Sequence, residues 1–255
     1  MANFQPLKRS ILFCLKQLIA RHDLQPGFLD VGCGIGDVSV FLAGLGWTGK
    51  AIDISEAALA EARRNLGSFP GVRVELEDFF ESGGTYGTVV LFDILEHLAD
   101  DAAALRKLSS LVRSDGHAVI AVPSNPRLWG WDDDFYGHFR RYTEEEIKAK
   151  LRDACFEPLE VWDFTFPVFA AMRAIHTRIA RAPEAGEQRV QSARTLRSGM
   201  VPEWQNSAWV SWLGKAWFFW DWVYRLQFRF FRHRVRWGHE FIVLAKRTEL
   251  ETTYG

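Results

Sequence analysis

Three glycines at alternate positions, Gly32, Gly34 and Gly36, follow an apolar run that ends in Asp30-Val31. A second acid, Asp53, closes the next apolar run, Ala51-Ile52. Glycine tolerates left-handed turns and lets other groups approach the backbone. A carboxylate offers two acceptor oxygens to a pair of hydroxyls. Together these residue types suit a strand–loop–helix–strand unit that grips a nucleoside. The pattern is D-x-G-x-G-x-G, whereas a dinucleotide site uses G-x-G-x-x-G. Asp37 stands where that site has its third glycine. Carboxylates here would compete with a pyrophosphate for the positive end of the following helix. The ligand expected at this loop therefore lacks a phosphate.

Two further groups of residues could do chemistry. Asp93-Ile94-Leu95-Glu96-His97 follows another apolar run. Imidazole titrates near neutral pH, which makes His97 a candidate general base. The plainer alternative is that Glu96 and His97 cap a helix and shape a pocket. The second group runs from Asp132 to Thr143 and contains Gly137-His138-Phe139-Arg140-Arg141-Tyr142. His138 could take or orient a proton, and Arg140 and Arg141 could hold a carboxylate or phosphate in bidentate fashion. The alternative pairs one arginine with the preceding acids and packs His138 in the loop. Asp93, Arg140, Arg141 and Tyr142 are assigned to the acceptor side, with His97 and His138 as the catalytic candidates.

The elements that must position these residues follow from apolar patterning. Strands are expected at 27–31, 49–53, 72–76, 88–92, 117–122 and 159–164, and Glu240 to Lys246 is a further strand. Helices are expected near 37–45, after Ser55 as N-cap, and from Thr143-Glu144-Glu145-Glu146 through Leu151, where the pattern is a capping box. A further helix carries Leu98, Leu105, Leu108 and Val112 inward and stops at Ser114-Asp115-Gly116. Leu7, Ile11, Leu15 and Leu18 recur at helical spacing with Lys8, Arg9, Lys16 and Arg21 among them, so residues 4–21 read as an amphipathic helix, not a signal peptide. Alternating strands and helices imply a doubly wound sheet, which binds ligands at the carboxyl ends of its strands.

Charge divides the chain. Residues 1–164 carry 17 Lys+Arg against 25 Asp+Glu, while residues 165–237 carry 12 against 4. The total is close to neutral and gives no polyanion-binding signal. The three cysteines, Cys14, Cys33 and Cys155, form no CxxC pair and suggest neither a disulfide framework nor a zinc site, which fits a cytoplasmic protein. No run of about 20 uncharged apolar residues occurs, so no transmembrane helix is expected.

Over residues 25–164 and the last strand, this order of motifs resembles the class I S-adenosylmethionine (SAM)-dependent methyltransferases, and in particular the small-molecule group that includes the quinone methyltransferases. The resemblance implies a Rossmann-like, seven-stranded, mostly parallel α/β sheet with helices on both faces and a helical insertion before the last strand. Its domains would be 1–164 with 236–255, and 165–235. SAM would be the cofactor. Gly32, Cys33, Gly34 and Gly36 would hold its methionine part, and Asp30 would balance the cationic end. Asp53 would accept the ribose hydroxyls and Ile54 would lie against the adenine. Asp78 would accept from the adenine amine, with Phe79 nearby, and Phe92 would close the site toward the methyl group. A divalent metal binds some quinone O-methyltransferases at a similar E-x-x-E-H segment. Here Asp93 replaces the first Glu and shortens the reach, so no metal is assigned.

The resemblance implies methyl transfer to a small acceptor, read here as a hydroxyl of an amphipathic or lipid-linked molecule. Alternatives are a small amine, or a non-catalytic membrane scaffold on the same fold. No Asn/Asp-Pro-Pro-Tyr/Phe segment follows the fourth strand, and no nucleic-acid partner is expected. The insertion holds seven tryptophans, Trp204, Trp209, Trp212, Trp217, Trp220, Trp222 and Trp237. With their neighbouring arginines they fit three readings: a lid over the site, a peripheral membrane contact through residues 204–236, or a homodimer face. Residues 182–200 read as a polar link.

Overall fold

The computed structural model describes residues 6–179 and 217–248. The expected link at 182–200, along with Trp204, Trp209 and Trp212, lies outside the described residues. Seven strands form one sheet: β1 (Phe28–Val31), β2 (Gly49–Asp53), β3 (Val72–Leu76), β4 (Tyr86–Phe92), β5 (Val112–Pro123), β6 (Phe156–Asp163) and β7 (Glu240–Arg247). Their order is β3-β2-β1-β4-β5-β7-β6. The first five run parallel, and β7 slots antiparallel between β5 and β6. The fold is the expected Rossmann-like, mostly parallel α/β sheet.

Strand alternation feeds two cores. Leu29 and Val31 of β1 join Phe241 and Val243 of β7 on one face, and Phe28 joins Ile242 and Leu244 on the other. The first face is covered by α4 (Asp101–Leu111) and α6 (Glu144–Asp153), through Leu105, Leu108, Ile147 and Leu151. The second is covered by α1 (Pro6–His22) and α2 (Asp37–Gly44), through Leu15, Leu18 and Leu42. Ser55 caps α3 (Glu56–Asn65) as expected and accepts from the Ala58 amide. Thr143 caps α6 the same way through the Glu146 amide.

Several boundaries differ from expectation: β4 starts at Tyr86 and β6 at Phe156, ahead of the expected 88 and 159, and two further shifts have a local cause. The helix expected from Leu98 begins at Asp101, because the Asp100 side chain caps it by accepting from the Ala103 amide. The turn expected at Ser114-Asp115-Gly116 lies inside β5. There the register jumps from Tyr86↔Val112 to Thr88↔His117, and the intervening residues bulge out of the ladder.

The short α5 (Trp131–Tyr136) precedes α6, and α7 (Val168–Ile179) and α8 (Trp217–Phe231) follow β6. Phe228 of α8 packs edge-on against Trp162 of β6 and against Phe13 of α1. This helix therefore shares the sheet's second core. No described helix is long and apolar enough to cross a membrane.

Candidate functional site

At the carboxyl end of β1 the chain turns through Gly32, Gly34 and Gly36 with φ of 65°, 54° and 85°. A side chain at Gly32 would also collide with Ile94. The loop is tied down by Cys33 N–H donating to the Ile52 carbonyl at 2.9 Å. Beneath it, Asp30 is buried and accepts from Ser39 Oγ at 2.6 Å. Burial pushes its carboxyl up to about 7; the Ser39 hydrogen bonds oppose this, and Asp53 and Asp37 add to it. Burial likewise pushes the Cys33 thiol up.

Asp53 joins two strand ends. One oxygen accepts from Gly34 N–H at 2.9 Å and the other from Ser55 N–H at 2.8 Å. Beside it Ile54 is 56% exposed, an apolar side chain left open at a strand end. Asp78 is exposed and accepts from Phe80 N–H at 2.8 Å. Phe79 is buried in the core, and the ring that faces solvent beside Asp78 belongs to Phe80. Phe92 is half-buried at the end of β4. Lys8 of α1 reaches Asp37 at 2.9 Å and pins the first helix to the start of α2.

At the carboxyl end of the neighbouring strand β4, Asp93 takes φ of 53° and donates its N–H to the Ala121 carbonyl at 3.0 Å. That left-handed residue prevents a helix from running through it. A three-residue 3₁₀ turn, Leu95–His97, starts after it. Asp93, Glu96 and His97 therefore do not share a helical face. The side chains that converge are Glu96, His97 and His138, with potential ligand atoms within 4.8 Å of one another. A proton or a small cation would suit such a cluster. Glu96 is buried with Oε2 unpartnered. Burial, then Asp93 and Glu240, push its carboxyl well above the ordinary range, and a protonated carboxyl is a poor metal ligand. Burial and His138 push His97 down to about 4, so it is neutral at pH 7. The two imidazoles meet edge to face at 4.8 Å.

His138 is oriented from behind. Its Nδ1 lies 2.8 Å from Asp133 Oδ1, which also accepts from Arg141 Nε at 2.8 Å. Asp133 Oδ2 accepts from Gly130 N–H and from Arg173 Nη2 of α7, at 2.8 and 3.2 Å. Burial alone would raise Asp133, but hydrogen bonds from His138 and Arg141 outweigh it and hold the carboxyl at about 2. An anion at Nδ1 favours the tautomer with the proton there, leaving the Nε2 lone pair available.

Three acceptor-side expectations are corrected. Arg141 is buried, with its donors committed to Asp133 and to the Ser124 and His239 carbonyls. Arg140 donates to the Leu98 and Ala99 carbonyls and pairs with Asp101. Tyr142 is fully buried and donates to Asp101. Arg140 and Tyr142 tie the loop to the start of α4, and Arg141 ties it to α5 and to the residues next to β5 and β7. Asp133 with Arg141 and His138 is the alternative arrangement, one arginine paired with the preceding acids; sequence reasoning assigned no site role to Arg173 or Glu240. Burial and then Asp93 push Glu240, the first residue of β7, up to about 8. The run of three acids before His138 was the signal for Asp133; nothing in the sequence spacing links Glu240 to Asp93.

A family model described as a methyltransferase domain matches residues 3–161. A ubiquinone biosynthesis O-methyltransferase of Bordetella avium is 31% identical over 151 residues, covering 51% of this chain and 61% of that protein. One of Marinobacter nauticus is 34% identical over 108 residues, covering 39% and 45%. The chain thus spans about half the length of the curated relatives it matches. Among solved structures, the magnesium protoporphyrin IX methyltransferase of Synechocystis PCC 6803 with bound SAH is 25% identical with a TM-score of 0.51, covering 61% of this chain and 75% of that one. The 1,6-didemethyltoxoflavin-N1-methyltransferase of Burkholderia thailandensis has a TM-score of 0.55 over 96% of this chain and 79% of that one, and at 17% identity it shares the fold.

Proposed function

The chain belongs to the methyltransferase-domain family, with a class I fold and SAM as cofactor, and from that premise we propose that it transfers a methyl group to a hydroxyl of a small amphipathic acceptor. The observation that carries the hydroxyl reading is the His138–Asp133 pair, a base held by a buried anion beside a neutral His97. A free amine already offers its lone pair, whereas a hydroxyl must lose its proton. The names of the curated relatives support oxygen as the acceptor atom. The free thiols of Cys14, Cys33 and Cys155 support a reducing, cytoplasmic setting.

In this reading the left-handed glycines let the loop backbone approach the methionine part, and Asp30 lies under the cationic end. Asp53 receives the ribose hydroxyls, the exposed face of Ile54 takes the adenine, and Asp78 accepts from its amine. Bound SAM supplies an electrophilic methyl on a sulfonium that leaves as a neutral thioether. His138 Nε2 would remove the acceptor hydroxyl's proton as that oxygen takes the methyl group. Asp133 stabilises the imidazolium that results. Asp93, at the turn after β4, orients the hydroxyl. Holding the reactants at near-attack distance provides much of the remaining rate.

The test has two arms. Calorimetric titration should show SAM binding to the wild type and binding weakened about tenfold or more in Asp53→Ala, which loses two charge-assisted acceptors. Absence of heat with the wild type would end the enzyme reading. Incubation with methyl-labelled SAM and host extract, split into lipid and aqueous fractions, should yield an O-methylated product. An N-methylated product would replace the acceptor assignment.

A further inference from the structure

Helix α8 is apolar on both of its faces. Its inner face, with Trp220, Val223, Tyr224 and Phe228, is buried against Phe169 and α1. Its outer face should then be polar, as on an ordinary surface helix. Instead Phe219, Trp222 and Phe230 are 51%, 58% and 63% exposed, and the half-buried Leu226 lies between them. These residues recur at i, i+3, i+7 and i+11 and so form one stripe. Arg225 and Arg229 flank it. Arg225 is 68% exposed at its side chain and pairs with Asp221 one turn back, and Arg229 lies over the Phe230 ring at 5.8 Å. An outward row of large aromatics rimmed by cations is unstable in water and complementary to an anionic bilayer surface, where the rings sit at the headgroup boundary.

We propose that the outer face of α8 is a docking surface for anionic membrane, with the helix lying in the plane of the interface. Its 15 described residues are too few to span a bilayer. A second copy of the chain fits this face less well. Residues 217–237 carry five arginines against one acid, Asp221. A two-fold contact would bring that cationic patch against itself. The proposal does not depend on the methyl-transfer reading, because docking requires neither SAM nor acceptor.

Vesicle flotation with the full chain tests it. The wild type should float with vesicles of phosphatidylcholine containing roughly one-third phosphatidylglycerol, and much less with phosphatidylcholine alone. Arg225→Gln/Arg229→Gln should bind about tenfold more weakly, and added salt should have the same effect. Trp222→Ser/Phe230→Ser should not bind, while its SAM titration stays at the wild-type value and so shows that the fold is retained. A wild type that never floats with the anionic vesicles overturns the proposal. So does binding that both double variants leave unchanged. A wild-type dimer in sedimentation that dissociates in Trp222→Ser/Phe230→Ser, without vesicle binding, would assign the face to a second copy. A fall in that variant's melting temperature, again without vesicle binding, would assign it to this chain's own residues.

Discussion

Asp30 is a carboxylate that folding makes harder to ionise. Its value rises from 3.8 to about 7, so the native state keeps a proton that the unfolded chain has lost. That contribution favours the native state below about pH 4 and is lost as pH rises through about 7. Asparagine cannot ionise, and its Oδ1 can still accept from Ser39. Asp30→Asn is therefore expected to be more stable than the wild type at pH 8 by about 1–3 kcal/mol, with the gap closing near pH 4; denaturant midpoints at the two pH values measure this. SAM binding should weaken in the same variant, a trade of function against stability. At the base, Asp133→Asn would present an amide to His138 Nδ1 and remove the anion that stabilises the imidazolium. Methyl transfer in the labelled assay should fall by about a hundredfold or more, with calorimetric SAM affinity unchanged. Equal activity in that variant would remove His138 from the mechanism.

Elements matter here because the base is carried by α5 and its following turn and held from α7. Arg173 grips Asp132 through Nε and Nη2, both at 2.8 Å, and its Nη1 reaches the Leu128 carbonyl at 3.1 Å. Trp131 Nε1 donates to the Thr177 carbonyl at 3.2 Å. These bonds hold α7 against the segment that presents His138. Arg173→Gln should lower turnover by about tenfold through misplacement of the base, and Arg173→Lys should recover part of it. Steady-state kinetics should show the loss in kcat, with the KM for SAM unchanged. A change confined to SAM affinity would rule out this positioning role.

For the molecule as a whole, β7 is the central tie. It comes from the far end of the chain, pairs with both β5 and β6, and contributes to both cores. Leu244 is fully buried in it. Leu244→Ala should cost about 2–5 kcal/mol. Because α8 shares that core through Phe228, tryptophan fluorescence and far-ultraviolet circular dichroism should report one shared transition. Separate transitions would show that the helices after β6 unfold independently of the sheet.

The sequence by itself determined the strands, the glycine turn and the acids at strand ends, because these depend on neighbours in the chain. Apolar runs define buried strands, left-handed turns select Gly32, Gly34 and Gly36, and Ser55 and Thr143 cap the helices that follow them. The bulge in β5 and the late start of α4 shift boundaries alone, where pairing with β4 and a single capping carboxylate decide the outcome. Residue type alone could not tell whether a charged side chain serves the fold or the site. Arg140, Arg141 and Tyr142 carry suitable groups for an acceptor, yet Asp101, Asp133 and backbone carbonyls from distant segments take them up. His97 and His138 lie far apart in the chain and become edge-to-face neighbours only because β4 and β5 are adjacent. Whether a buried carboxyl such as Asp30 or Glu240 is charged follows from what surrounds it in three dimensions, and only the tertiary structure supplies those surroundings.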